Sequence, residues 1–162
     1  MLGMVWRGRV AAHNAKALPR QRTSAPRYIS WMNPLDLTHA PILQDLLELD
    51  FGLEPRPEDL HNDYSARAFV DDGTGLAFIF RRGADGAEIS LVFEDAVLLE
   101  SAGRFGVGAT LDIWYRGRYV VNDVLVEQHG ARRFYYLDFI EEDFSVTLAA
   151  VRVTAQLTPA PA

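Results

Sequence analysis

Four histidines, no cysteine and a single lysine, Lys16, leave few side chains able to carry catalysis or hold a metal. The densest candidate is His61-Asn62-Asp63, where an extended backbone places His61 and Asp63 on one side like a short-spaced ligand pair. A metal-dependent hydrolase using His61 and Asp63 is therefore one function class to weigh. It needs further ligands, and no second His lies nearby in the chain. The plainer expectation is that His61 caps or packs at the lead-in to the first strand, so no metal ligands and no cofactor are assigned. Glu141-Glu142-Asp143 lacks the alternating acids and the Gly of a calcium loop and reads as a hairpin turn with solvated charge. No Gly-x-Ser-x-Gly elbow surrounds Ser65, Ser90, Ser101 or Ser145. Gly103-Arg104-Phe105-Gly106-Val107-Gly108 imitates a phosphate loop, but a strand pattern follows it, so no helix N-terminus is there to receive the anion. Lacking Lys beyond Lys16, the body has no Walker loop and no Schiff-base residue. Lacking Cys, it has no disulfide, thiolate zinc site or thiol nucleophile. No residue set identifies a catalytic group, and a non-enzymatic protein is the expectation.

The elements that would position these side chains are mostly strands. Pro41 suits a first helical position, Ile42, Leu43, Leu46, Leu47 and Leu49 or Phe51 repeat at helical spacing, and Gly52 is a natural stop. This predicts one N-terminal helix over 41–51. Pro55 and Pro57 then interrupt regular structure. From Tyr64 the apolar period becomes two. Tyr64–Asp71 and Gly75–Arg82 flank an Asp72-Gly73 turn, and Ala84-Asp85-Gly86 turns into Ile89, Leu91 and Phe93. Val97–Leu99, Ala109–Arg116, Arg118–Gln128 with a bulge at Asn122-Asp123, Arg132–Ile140 and Phe144–Gln156 complete the series. The last run changes phase, which predicts a bulge near Ala149-Ala150. The fold class expected is mainly β (α+β): an antiparallel meander of seven or eight strands forming a sandwich or open barrel, with the helix packed on it.

Charge divides the chain at Met32. Residues 1–31 carry six cations and no acid, whereas the remaining 131 carry ten Arg against 22 acids, a net charge of −12. Residues 1–31 are expected to be a disordered basic leader or upstream sequence preceding a true start at Met32. Residues 32–156 are expected to form one acidic β-rich domain, with a frayed Pro/Ala-rich tail at 157–162. A body so acidic repels nucleic-acid phosphates. No secretory signal and no apolar run near the ~18 residues of a membrane span are present, so a cytoplasmic protein is expected.

Two strands after Gly108 suggest a binding surface. With Leu111, Ile113 and Tyr115 turned inward, Asp112, Trp114 and Arg116 face outward together. With Tyr135, Leu137 and Phe139 inward, Arg132, Phe134, Tyr136 and Asp138 face outward. Aromatics among Arg and acids have the composition of an interaction hot spot, and these seven residues are the partner-binding candidates. If both faces of the sheet are covered, the same aromatics are core. A third arrangement has Trp114, Tyr115, Phe134 and Tyr136 lining the cavity of a small-molecule-binding barrel or sandwich.

Within the acidic body, the predicted helix, Leu60-His61-Asn62-Asp63, Leu91-Val92-Phe93-Glu94-Asp95-Ala96-Val97, Phe144-Ser145-Val146-Thr147-Leu148 and Val151-Arg152-Val153 resemble bacterial immunity proteins that neutralise polymorphic toxins. The resemblance spans residues 33–156 and carries over no functional residue. It implies inhibition of a cognate toxin, often a basic nuclease, without catalysis. A basic protein partner is expected also because an acidic surface accelerates association with one.

Overall fold

The computed structural model describes residues 32–53 and 56–162; the expected leader, residues 1–31, lies outside the described residues. In chain order the strands are β1 (Leu35–Asp36), β2 (Glu48–Leu49), β3 (Glu58–Asp59), β4 (Tyr64–Asp71), β5 (Gly75–Arg82), β6 (Glu88–Glu94) and β7 (Val97–Ala102). Then come β8 (Leu111–Gly117), β9 (Tyr119–Val121), β10 (Val124–Val126), β11 (Gln128–His129), β12 (Arg132–Phe139), β13 (Ser145–Ala150) and β14 (Arg152–Thr158). The strands outnumber the seven or eight expected: Arg118–Gln128, expected as one strand, is the β9–β10 hairpin leading into β11, Phe144–Gln156 divides into β13 and β14, and β1, β2 and β3 are two-residue pieces. Strand β14 runs two residues into the expected tail, with Leu157 opposite Ile89 and Thr158 opposite Glu88.

The first sheet has the order β1-β14-β6-β5-β4, and every pair is antiparallel. In the second, β12 lies between β13 and β8, and β7 flanks β13. Alternation turns one face of each sheet inward. Phe78, Phe80, Leu91 and Phe93 of the first sheet meet Trp114, Tyr135, Leu137 and Leu148 of the second in one buried cluster. Ring centroids of Phe93 and Tyr135 lie 5.7 Å apart, and those of Phe78 and Phe139 5.9 Å apart. The two sheets therefore face each other across an aromatic core, as in a β-sandwich.

Thr38 joins the sheets. Its hydroxyl accepts the N–H of Val153 at 2.9 Å, and its carbonyl accepts the Tyr135 hydroxyl at 3.0 Å. The chain changes sheets at Val151, whose N–H donates to Glu94 O at 3.1 Å. The phase change near Ala149-Ala150 is this crossing between β13 and β14, not a bulge within one strand. Asn122 and Asp123 also do not form a bulge. Both have positive φ (51° and 62°), and they make the two-residue turn of the β9–β10 hairpin.

No helix forms over 41–51. Leu43 has φ 63°, and this segment lies along the edge of β8, with the Leu43 N–H donating to Arg116 O (2.8 Å) and the Leu46 N–H to Trp114 O (3.0 Å). Asp45 and Asp50 each accept a backbone N–H two residues ahead, from Leu47 and Gly52, both at 2.8 Å. Such local bonds compete with helical ones, and the edge of β8 offers the backbone partners that a helix would otherwise supply. Leu46, Leu47 and Leu49 are buried in either conformation, so their spacing alone does not select the helix.

Candidate functional site

One irregularity decides which side chains the second sheet presents. Phe139 pairs with Leu111, but Asp138 pairs with Ile113, so Asp112 is an extra residue bulged out of β8. Beyond it every side chain of β8 is on the face opposite to that expected. Trp114 is 1% exposed in the core, whereas Ile113 is 41% exposed. Tyr115 faces outward opposite Tyr136, and Arg116 faces inward opposite Tyr135. Phe134 does face away from the sandwich core, but the β9–β10 hairpin covers it, with Val121 and Ala149 buried against it and the Tyr119 ring 5.3 Å away. Neither Trp114 nor Phe134 is surface. They sit in two different clusters, while Tyr115 and Tyr136 lie on the outer face, so the four aromatics do not line one cavity.

The outer face itself is built from Tyr115, Tyr136, Asp138, Ile113 and the bulged Asp112. Tyr115 and Tyr136 are half-buried and stacked, with centroids 5.0 Å apart and ring planes at 10°. Gly117 makes that stack possible. A Cβ there would stand 2.7 Å from Tyr136 Cε2 and 2.9 Å from Tyr115 Cε2, so both rings occupy the space a side chain would fill. The Tyr136 hydroxyl donates to Arg118 O, fixing its ring. Across the sheet Tyr136 is followed by Thr147 and Glu100, and the Glu100 carboxylate accepts the Tyr119 hydroxyl at 3.1 Å.

Asp138 is half-buried beside this stack and has no hydrogen-bond or ion-pair partner among the described residues. Burial, and then the charge of Asp112, push its carboxyl above the ordinary value. Burial also raises the Tyr115 phenol, with Asp138 adding to the shift. Exposed Asp112 stands 3.6 Å from His61 Nδ1. Of the seven candidates, Asp112, Tyr136 and Asp138 thus share one accessible face. Arg116 turns inward and donates to Ala40 O at 3.0 Å, and Arg132 is held by Asp95 at 2.6 Å. Tyr115 and Ile113 belong to the face but were not among the candidates. No residue signal reveals the bulge, because Leu111/Trp114 and Ile113/Tyr115 are equally apolar.

His61 and Asp63 are engaged separately. His61 Nδ1 lies 3.0 Å from Leu111 O, and Asp63 pairs with Arg56 at 2.6 Å. Among the described residues no group of three His, Asp or Glu converges as a metal site would require. Also among them, no helix is long and apolar enough to cross a membrane. On the outside of the first sheet Val70, Ala77 and Val92 line a half-open depression of about 320 Å³, whose acids Asp72, Glu94 and Asp95 already have partners. Comparison of the chain with protein-family models, with curated proteins and with solved structures finds no match.

Proposed function

We propose that the protein is a non-enzymatic acidic binding module that takes a basic protein partner on the outer face of its second sheet, as an immunity protein or antitoxin takes a basic toxin. The observation that carries this reading is Asp138: a half-buried, unpaired carboxylate beside the Tyr115–Tyr136 stack, with Asp112 adjacent. A carboxylate in that setting is costly alone and gains most from an incoming cation. An Arg of the partner can stack on an aromatic face while pairing with the acid, and aromatic anchors beside exposed apolar groups such as Ile113 resemble interface hot spots. The net charge of −12 over residues 32–162 adds long-range steering toward a basic surface.

The test is affinity capture from extracts of the source cells, followed by binding measurements on any basic protein retained. The expected result is an affinity that falls steeply with salt and drops at least roughly tenfold in Asp138→Lys and Tyr136→Ala, as for truncation of a desolvated charge or an aromatic anchor. Binding that ignores both salt and these substitutions overturns the proposal.

A further inference from the structure

The body has ten arginines, and six of them (Arg56, Arg67, Arg82, Arg118, Arg132 and Arg152) lie within ion-pair distance of a carboxylate. Arg81 and Arg104 are exposed to water. The last two differ from all of these. Arg116 and Arg133 are half-buried, and among the described residues no carboxylate pairs with either and the Nε of each is buried without an acceptor.

Both point to the same place. Tyr135 is inward-facing and fully buried, Arg116 is its direct cross-strand neighbour on β8, and Arg133 precedes it by two residues on the same face of β12. Side chains so placed are neighbours on one sheet face. The two guanidinium charges both act on the Tyr135 hydroxyl, opposing the burial that pushes it up to about 12. The nearby acid, Asp36, already accepts the Thr38 N–H at 3.0 Å and stands among Arg152 and His39. Guanidinium does not shed its proton, so burial without a counter-charge is not relieved by titration.

We infer that Arg116 and Arg133, at the end of the sandwich bounded by Asp36–Ala40, form a binding site for a small oxyanion, with a phosphate group the matching chemistry. Two guanidiniums complement the charge of about −2 that a phosphate group carries near neutral pH, and their planar forks suit oxygen acceptors. This site is on the opposite face of the second sheet from the surface proposed for the protein partner and does not depend on it.

The experiment titrates inorganic phosphate into the full-length protein at constant ionic strength, and follows the thermal midpoint and the Arg Nε–Hε signals by NMR. The Trp114 indole N–H, also buried without an acceptor among the described residues and on the inward face of β8 with Arg116, is a further reporter. The expected result is saturable binding with Kd below about 1 mM, weakened at least roughly tenfold in Arg133→Gln, which leaves the Arg116–Ala40 contact intact. Arg81→Gln, at an exposed position, leaves binding unchanged. Succinate serves as the second arm. Competition by succinate supports a general dianion site, and exclusion of succinate supports one selective for tetrahedral phosphate. A midpoint that rises without saturation, or equally in wild type and Arg133→Gln, overturns the inference.

Discussion

Gly117→Ala tests whether the tyrosine stack rests on the missing side chain of Gly117. The new Cβ would lie 2.7 Å from Tyr136 Cε2, 2.9 Å from Tyr115 Cε2 and 3.0 Å from Tyr136 Cδ2. Carbon atoms pack without repulsion at about 3.5–4.0 Å, so both rings must retreat by roughly 0.5–1 Å. Moving Tyr136 weakens its hydrogen bond to Arg118 O, about 1 kcal/mol, and the 5.0 Å stack with Tyr115, about 0.5–1.5 kcal/mol. The lower entropy of an unfolded chain with Ala in place of Gly offsets roughly 0.5–1 kcal/mol. The net loss is about 1 kcal/mol, which lowers the thermal midpoint of a body this size by roughly 3–5 °C. Calorimetry with near-UV circular dichroism reads both the stability and the tyrosine environment. The control is Gly83→Ala, where a Cβ meets nothing within 4 Å, and its midpoint should be equal to or slightly above wild type. If Gly117→Ala melts no lower than Gly83→Ala and leaves the near-UV signal unchanged, the packing argument for Gly117 is wrong.

Asp138→Asn should stabilise the protein at neutral pH while weakening partner binding. The folded-state pKa of Asp138 is raised, so its ionisation removes stability as pH rises from 3.8 through that higher value; the gain from Asn should vanish below 3.8 in urea titrations. Asp85 behaves oppositely. Arg82 and then the Ala87 N–H hold it at about 2, so its contribution is present above 3.8 and lost as pH falls toward 2, and Asp85→Asn should flatten that acid limb. Thr38→Val removes the acceptor for the Val153 N–H and should cost about 1–3 kcal/mol in urea unfolding, whereas Thr38→Ser should retain most of that stability. Equal midpoints for the Val and Ser variants would show that the hydroxyl is not what joins β14 to this segment.

The long strands were legible because alternation and Gly/Asp turns are local signals. Tyr64–Asp71 and Gly75–Arg82 occur at the bounds that the pattern around Asp72-Gly73 predicts. What failed was the pairing of elements distant in sequence. The leucines of 41–51 satisfy helical spacing and also an irregular edge along β8, and only the free backbone groups of Trp114 and Arg116 decide between them. The face occupied by Trp114 was illegible for a related reason. A bulge at Asp112 is a property of the β8–β12 pair, and Ile113-Trp114-Tyr115 is apolar in either phase. Phe134 faces away from the sandwich core as its alternation predicts, yet the β9–β10 hairpin that buries it is a separate element beginning fifteen residues earlier in the chain.

The same bulge links the two proposed surfaces. Without Asp112 as an extra residue, Tyr115 would enter the core opposite Tyr135, and Arg116 would stand outside opposite Phe134. With it, Tyr115 stacks on Tyr136 and gives Asp138 an aromatic neighbour, while Arg116 turns inward to the face it shares with Arg133. One inserted position therefore sorts an aromatic and a cation onto opposite faces of one sheet, leaving an unpaired carboxylate on the outer face and unpaired guanidiniums on the inner. A sheet in strict register would set Arg116 opposite Phe134 and Asp112 directly opposite Asp138, two like charges facing each other across the strands. The two proposed ligands follow from this sorting, a basic side chain for the carboxylate outside and an oxyanion for the guanidiniums within.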